Sequence, residues 1–461
     1  MLSFVDPRRG PSRRAFLRIG SLALAGLSLP DLLRAGAAQA EGLATGKSVI
    51  FLHCSGGPPQ QETFDPKMSA PAGVRSVTGE IPTKLPGVTF GSTMEKLAAR
   101  ADRLAVVRSF HTGDGNHDIK PVVSKHSLGA NLGSVIARVL GATDAKSGMP
   151  TTSALFPRAV DANAMPNIDQ FGKFDAAGSL GQGFVPFVPG GGGQLQKDMQ
   201  LELPMARLDD RRNLLSGLDR LKGSLENQGE GLDRFREQAF DTILGGVAQA
   251  FDLKHEDPRT IAMYDTSPLV APSQISKKWN NHPRYVDHSQ CLGKLLLLAR
   301  RLCESGCRFV TVTTNFVWDF HADANNAGVD EGMRYAGQPM DHAVAALMDD
   351  LKERGLDKKI LLVATGEMGR TPRMNAGGGR DHWGGLAPLL LAGGGLQMGQ
   401  VIGQSDKSAG EPATDPIGIS NLIATIMHTV LDMGKVRLLT GLPQDMVRAI
   451  NSAEPIEGLH V

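Results

Sequence analysis

The chain has few cysteines, no excess of either charge and no second long apolar run, and each of these shortfalls narrows what it can be. Four cysteines in 461 residues (Cys54, Cys291, Cys303 and Cys307) are too sparse for a disulfide scaffold. Cys303 and Cys307 lie at the end of a predicted helix and just beyond it, a spacing that suits two packed thiols better than a strain-free disulfide. Lysine and arginine (49) nearly balance aspartate and glutamate (48), so no global field favours nucleic acid or a membrane surface as partner. Beyond residue 40 no segment is apolar for long enough to span a bilayer, so no transmembrane anchor is expected after processing. No internal repeat is present.

What is present begins at the N-terminus. Ser12, Arg13 and Arg14 precede Phe16 and Leu17, an apolar run follows from Ile19 to Leu29, and Ala38-Gln39-Ala40 supplies a small-x-small cleavage site. Charged region, short apolar region and cleavage site in this order predict a twin-arginine signal over residues 1–40, with cleavage after Ala40. The expected partner is the twin-arginine export machinery, and the expected location is periplasmic or secreted. The remaining residues, 41–461, are enough for one large domain with a sizeable core, since 41% of the chain is apolar.

Hydrophobic patterning predicts alternating strands and helices. Strands are expected at 47–53, 104–108, 308–314, 359–364 and 388–392, and helices at 94–101, 132–140, 289–305 and 340–354. Residues 141–193 read as a loop-rich surface excursion ending in the glycine run Gly190 to Gly193, and 205–253 as two amphipathic helices broken near Gly229 and Gly231, so that 141–255 forms an insertion. The alternation predicts a parallel sheet covered by helices on both faces, with ligands beyond the carboxyl ends of the strands.

The residues able to do chemistry fall at those ends. Asp319 and His321 follow the strand ending near Thr314, and in an extended segment this spacing turns both side chains to one side. The triplet reads either as two ligands for one cation or as a turn-capping aspartate beside a surface histidine. Glu367 follows the next strand between two glycines, with Arg370 and Arg373 beside it. These arginines could hold a phosphoryl or sulfuryl group, or pair with Glu367 in a salt bridge. Asp381 and His382 follow among glycines, and Asp381 reads either as a metal ligand or as the carboxylate that orients His382. His53 closes the first strand, as a ligand or as a satisfied core histidine, and Asp65 in the following loop can reach the same edge or simply form a turn. The loop after residue 108 offers His111 and His117 along with Ser109, Thr112, Ser124 and Ser127, among which no nucleophile stands out. Carboxylates mixed with imidazoles favour Zn²⁺ or Mn²⁺, one ion or a pair, over an all-oxygen calcium cage or a thiolate site.

Several of these stretches together resemble a known family. Thr63 to Lys67, Trp318 to His321, Glu367 to Pro372, Gly379 to Trp383 and Gly395 to Gly403, after a twin-arginine leader, are similar to the DUF1501 family of exported bacterial proteins. That family is similar in fold to the alkaline phosphatase and sulfatase superfamily. The resemblance implies an α/β, alkaline-phosphatase-like three-layer sandwich: a mostly parallel central sheet, helices on both faces and a helical or loop insertion. It further implies one or two divalent metals at the carboxyl edge and a Ser, Thr or modified Cys nucleophile acting on a phosphate or sulfate ester. Asp319 and His321 then match the Asp and His of a late strand loop, Glu367 stands where an Asp-His-Gly motif is usual, and His382 resembles the last metal-binding histidine. His53-Cys54 replaces the usual aspartate at the end of the first strand, and the nucleophile motif is not recognisable. The expectation is a metal-dependent hydrolase in which His53, His117, Asp319, His321, Glu367, Asp381 and His382 bind metal and Arg370 neutralises developing charge. The alternative is a binding or envelope protein that kept the fold without the catalysis.

Overall fold

The computed structural model of the chain describes residues 42–144, 147–190, 247–439 and 441–459. The leader, with Arg13, Arg14 and Ala40, and most of the expected helical pair at 205–253 lie outside the described residues.

In chain order the strands are β1 (Ser48–His53), β2 (Glu80–Pro82), β3 (Thr89–Gly91), β4 (Leu104–Val107), β5 (Thr152–Leu155), β6 (Phe309–Thr313), β7 (Ile360–Thr365), β8 (Gly369–Arg370), β9 (His382–Trp383), β10 (Leu389–Gly393) and β11 (Gln400–Ile402). Seven of them form one sheet in the order β11-β4-β10-β7-β1-β6-β5, while β2 pairs with β3 and β8 with β9 in two small hairpins. The central strands are apolar on both faces because both faces are covered. Val49, Phe51, Leu361 and Val363 point into one core, where α1 (Leu132–Leu140) and α4 (Ile419–Val430) pack. Ile50, Leu52, Leu362 and Ala364 point into the other, against α2 (His282–Glu304) and α3 (Gln338–Glu353). This period-2 division across the sheet gives the three-layer α/β sandwich.

Three points refine the expected fold. First, the sheet is mostly parallel, as expected, and the exception is β10, which runs antiparallel to both its neighbours, β4 and β7. No helix crosses over between β7 and β10. The chain turns through the β8–β9 hairpin at the carboxyl edge of β7 and must re-enter the sheet from that edge. Second, β5 lies inside the stretch read as a surface excursion. It pairs with β6 at the edge of the sheet, and Ala154 and Leu155 are buried. Four residues, of which Thr152 alone is β-branched, give too weak a pattern to read. Third, α2 starts seven residues before the expected Ser289. Pro283 sits in its first turn, where proline costs no hydrogen bond, and Ser289 instead folds its hydroxyl back onto the Val286 carbonyl at 3.0 Å.

Candidate metal centre

Four loops leave the sheet on the side where β1, β6 and β7 end. The loop after β6 turns sharply: Asn315, Phe316 and Ala322 all have positive φ, at 54°, 65° and 58°. Two tight turns follow in succession, Phe320 N–H to the Trp318 carbonyl and His321 N–H to the Asp319 carbonyl, each at 3.0 Å. Trp318 and Phe320 are buried, and Asp319 and His321 meet, with 3.0 Å between Asp319 Oδ1 and His321 Nε2. The close approach of other backbone requires glycine. A Cβ on Gly56, whose φ is +108°, would lie 2.6 Å from the Asp319 nitrogen, and one on Gly379 would lie 2.2 Å from the His321 carbonyl.

The β8–β9 hairpin brings Arg370 opposite His382 as a cross-strand pair. Gln60, not singled out in the sequence, fixes the outer side of β8. Its amide accepts from the Arg370 N–H at 2.9 Å and donates to the Arg370 carbonyl at 2.8 Å. His117 arrives from the loop after β4 and packs against the stacked rings of Phe171 and Phe316, with ring centroids at 4.9 and 4.6 Å.

One ligand atom from each of His117, Asp319, His321 and His382 lies within 4.8 Å of the other three. Around Asp319 Oδ1, the Nε2 atoms of His117, His321 and His382 stand at 3.6, 3.0 and 3.2 Å. A tetrahedral ion with arms of about 2.0–2.1 Å holds its ligands roughly 3.3 Å apart, so the spacing suits a shared cation. The imidazoles are also oriented from behind. Glu367 Oε1 lies 3.1 Å from His117 Nδ1, and Asp381 Oδ1 lies 3.0 Å from His321 Nδ1. A carboxylate at Nδ1 keeps the hydrogen on that nitrogen and leaves the Nε2 lone pair facing the centre. His321 Nε2 and His382 Nε2 are 2.7 Å apart, a separation that needs a hydrogen or a cation between them. Three carboxylates (Asp319, Glu367, Asp381) against one guanidinium (Arg370) leave two negative charges when the imidazoles are neutral, which a divalent ion would balance. The chemistry of this donor set fits such an ion.

The electrostatics follow from the contacts. Burial pushes the Asp319 carboxyl upward, but Arg370 and the three histidines outweigh it and hold the group well below the usual carboxylate range. Burial lowers His117, yet its bonds to Asp319 and Glu367 raise it overall. His321 is raised chiefly by its bond to Asp319, against burial. Burial works against ionisation of Asp381, and its bonds to His321 and Asn375 overcome this.

The remaining expected site residues fall around this group. Glu367 is fully buried and accepts the Gly56 N–H at 2.9 and 3.1 Å on its two oxygens. His53 sits behind it, 3.5 Å from Glu367 Oε2, lowered by burial and with no hydrogen-bond partner at either ring nitrogen. Asp381 contacts His321 rather than His382. Arg370 is fully buried and directs its donors to the carbonyls of Gly56, Gly57 and Arg380 and, at 2.5 Å, to Asp319. It is not among the residues lining the adjacent cavity of about 620 Å³, whose walls include His111, Asp114, His382, Trp383 and Glu411. Arg373 is exposed, and Asp65 pairs with Lys67 and Arg108 away from the group. Asn326, which donates to Asp319 Oδ2 at 3.0 Å, and Asn375, which donates to Asp381 at 3.1 Å, gave no signal beyond lying in the same loops. Among the described residues no serine, threonine or cysteine side chain bonds to any of the four grouped residues. Ser124 and Ser127 cap one another, and Ser109 Oγ is buried without a partner. All four cysteines are free and buried.

Solved structures similar to this chain include the PsFucS1 sulfatase from Pseudoalteromonas sp., at 11% identity over 87% of this chain and 72% of that one, with a TM-score of 0.36. The phosphonate monoester hydrolase SpPMH from Silicibacter pomeroyi matches at 10% identity, over 83% and 73%, with a TM-score of 0.29. The alkaline phosphatase of the Antarctic bacterium TAB5 matches at 11%, over 78% and 95%, with a TM-score of 0.29. No curated protein matches. The family described as "Protein of unknown function (DUF1501)" matches residues 46–459, nearly the whole chain, and the protein belongs to that family.

Proposed function

We propose that this protein is an exported, metal-dependent hydrolase of phosphate or sulfate esters, working in the periplasm or outside the cell after the leader 1–40 is removed by the twin-arginine route. Residues 41–461 then act as one domain. The observation that carries the reading is the convergence of His117, Asp319, His321 and His382 on one point, with two of the imidazoles oriented by carboxylates. Three nitrogens and one oxygen favour Zn²⁺ over Mn²⁺. When bound, the ion supplies Lewis acidity toward the ester oxygen and lowers the pKa of a water. Asp319 and the three histidines hold it, and Arg370 positions Asp319. The cavity walled by His382 and Trp383 receives the alcohol portion of the ester. With no hydroxyl or thiol bonded to the group among the described residues, we assign the attack to water, so that ester and water give alcohol and the free oxyanion. In the described residues no helix is long and apolar enough to cross a membrane, which is compatible with release after export.

One contact favours a second reading. The Arg370 guanidinium already satisfies Asp319 at 2.5 Å, so the group is stable as an ion pair in a protein that binds without catalysis. The mature chain purified without chelators decides between them, through its metal content and its turnover of aryl phosphate, phosphodiester and aryl sulfate. Bound metal together with turnover that disappears in Asp319→Ala and His382→Ala supports the hydrolase. A folded, metal-free and inert protein refutes it. Metal whose loss changes only the melting temperature supports the binding protein.

A further inference from the structure

The motif beginning at Gly395 plays no part in the metal centre, yet it shapes a second cavity. Gly393, the last residue of β10, and Gly394 and Gly395 after it have φ of 80°, 65° and 70°. A Cβ on Gly393 would lie 2.6 Å from the Ile360 carbonyl, and one on Gly394 would lie 2.7 Å from Leu361 Cβ, so the turn is restricted to glycine. A turn without side chains cannot fill the space between itself and the second half of α3. What remains is a groove of about 590 Å³, within the range of small-ligand sites. Its walls are mainly Leu347, Met348, Leu351, Leu362, Leu396 and Met398.

The mouth of this groove is cationic. Lys47, Lys352 and Lys358 line it, and none has an anionic partner among the described residues. Asp102 and Arg103 also line it, but they are engaged elsewhere, Asp102 with Lys84 at 2.8 Å and Arg103 with Asp349 at 2.6 Å. Only Asp357 opposes the three lysines, leaving an excess of two positive charges. Lys47 is the telling residue. It is half-buried and its Nζ lies across the turn, 3.1 Å from where a Cβ on Gly395 would be. Burial lowers its pKa with no carboxylate in opposition. A partly buried ammonium without a counter-charge is costly, and an anion at the mouth relieves that cost.

We propose that this groove binds a single-chain anionic amphiphile, an alkyl chain ending in a carboxylate, with the chain along the apolar walls and the head at Lys47. An inorganic anion would leave the apolar walls wet, and a neutral chain would leave Lys47 unpaired. The groove lies where β1 and β7 begin and the metal centre where they end, so the two are about 20 Å apart across a six-residue strand. The proposal therefore stands apart from the hydrolase reading.

Calorimetric titration of the purified mature protein with decanoate, below its micelle concentration, tests this. One saturable site is expected, with acetate and decyltrimethylammonium, which carries the same tail and the opposite charge, each weaker by ~10-fold or more. Lys47→Glu should weaken decanoate to a similar degree. The double variant Lys352→Glu/Lys358→Glu, confined to exposed residues, should weaken it without altering the melting temperature. Equal binding of the cationic amphiphile, an unchanged affinity in both charge-reversed proteins, or no saturable binding would overturn the proposal.

Discussion

Glu367→Gln separates a carboxylate that orients a ligand from one that is itself a ligand. Glu367 is fully buried, accepts the Gly56 N–H on both oxygens at 2.9 and 3.1 Å, faces His117 Nδ1 at 3.1 Å and abuts His53 at 3.5 Å. Glutamine preserves the volume but offers one neutral acceptor where two charged oxygens stood. At least one charge-assisted bond is lost, at about 1.5–3 kcal/mol of folding stability. The effect on the ion follows from the same geometry. Without the carboxylate, His117 is free to exchange its Nδ1 hydrogen to Nε2 and to rotate, and loss of such an orienting group costs ~10–100-fold in metal affinity. That range corresponds to about 1.4–2.8 kcal/mol. Competition between the mature protein and a chromogenic chelator measures the affinity, and elemental analysis gives the stoichiometry. The expected outcome is an unchanged number of ions bound more weakly, with the Nδ1–H form of His117 depleted in nitrogen-15 spectra. An affinity within twofold of the parent refutes the orienting role, and a stoichiometry lower by a whole ion makes Glu367 a ligand instead.

Other parts of the structure give independent tests. Arg300 is buried, bonds Glu256 at 2.6 Å and Glu304 at 2.7 Å, and forms an ion pair with Asp350 at 2.9 Å. Arg300→Met strands buried carboxylates and should cost ~3 kcal/mol in urea denaturation, the low end of the range for a broken buried pair because Arg301 and Arg354 still hold Glu256. A cost below about 1 kcal/mol would contradict the burial argument. Burial pushes the Asp341 carboxyl up to about 6, against the opposing hydrogen bonds from Leu97 and Lys96 N–H. The folded state then holds a proton that the unfolded state has released, so between about pH 4 and pH 6 this group makes stability fall as pH rises. Asp341→Asn should flatten the melting temperature across that window, and a parallel profile for the two proteins counts against it. Burial also raises the thiols of Cys291 and Cys307 to about 12. The native protein should accordingly leave Ellman's reagent unreacted, with four thiols appearing only in denaturant. Gly56→Ala places a Cβ against the Asp319 backbone and should abolish metal binding more completely than it lowers the melting temperature; retained stoichiometric metal would show that the loop can yield.

Much of the fold was legible because burial on both faces writes long apolar strands, and β1, β6 and β7 were read almost to the residue. What escaped depended on partners. The direction of β10 is set by the hairpin before it, since an apolar pentapeptide reads alike in either direction. β5 is a strand only because β6 offers it an edge. The long helix is expected from Ser289 but begins at His282, with Pro283 in its first turn and the Ser289 hydroxyl bonded within the helix at 3.0 Å.

The site was legible to the level of residue type and no further, and the reason is geometric. Strand ends told which loops would gather, and His117, Asp319, His321 and His382 were among the residues expected there. Spacing along the chain cannot tell a ligand from the group behind it, because that difference rests on which ring nitrogen faces which oxygen. Asp381 is adjacent to His382 in sequence, yet it bonds His321 Nδ1 at 3.0 Å while His382 Nε2 faces His321 Nε2 at 2.7 Å, so the two neighbours meet one imidazole at its two nitrogens. Arg370 shows the same limit more sharply. An arginine near a predicted anion site reads as an anion binder, but here its donors go to the Arg380 carbonyl, to Asp319 and to the carbonyls of Gly56 and Gly57. Those carbonyls belong to a glycine turn more than 300 residues away in the chain. The same turn supplies the N–H that holds Glu367, so one pair of glycines fixes both the cation that positions Asp319 and the carboxylate that positions His117.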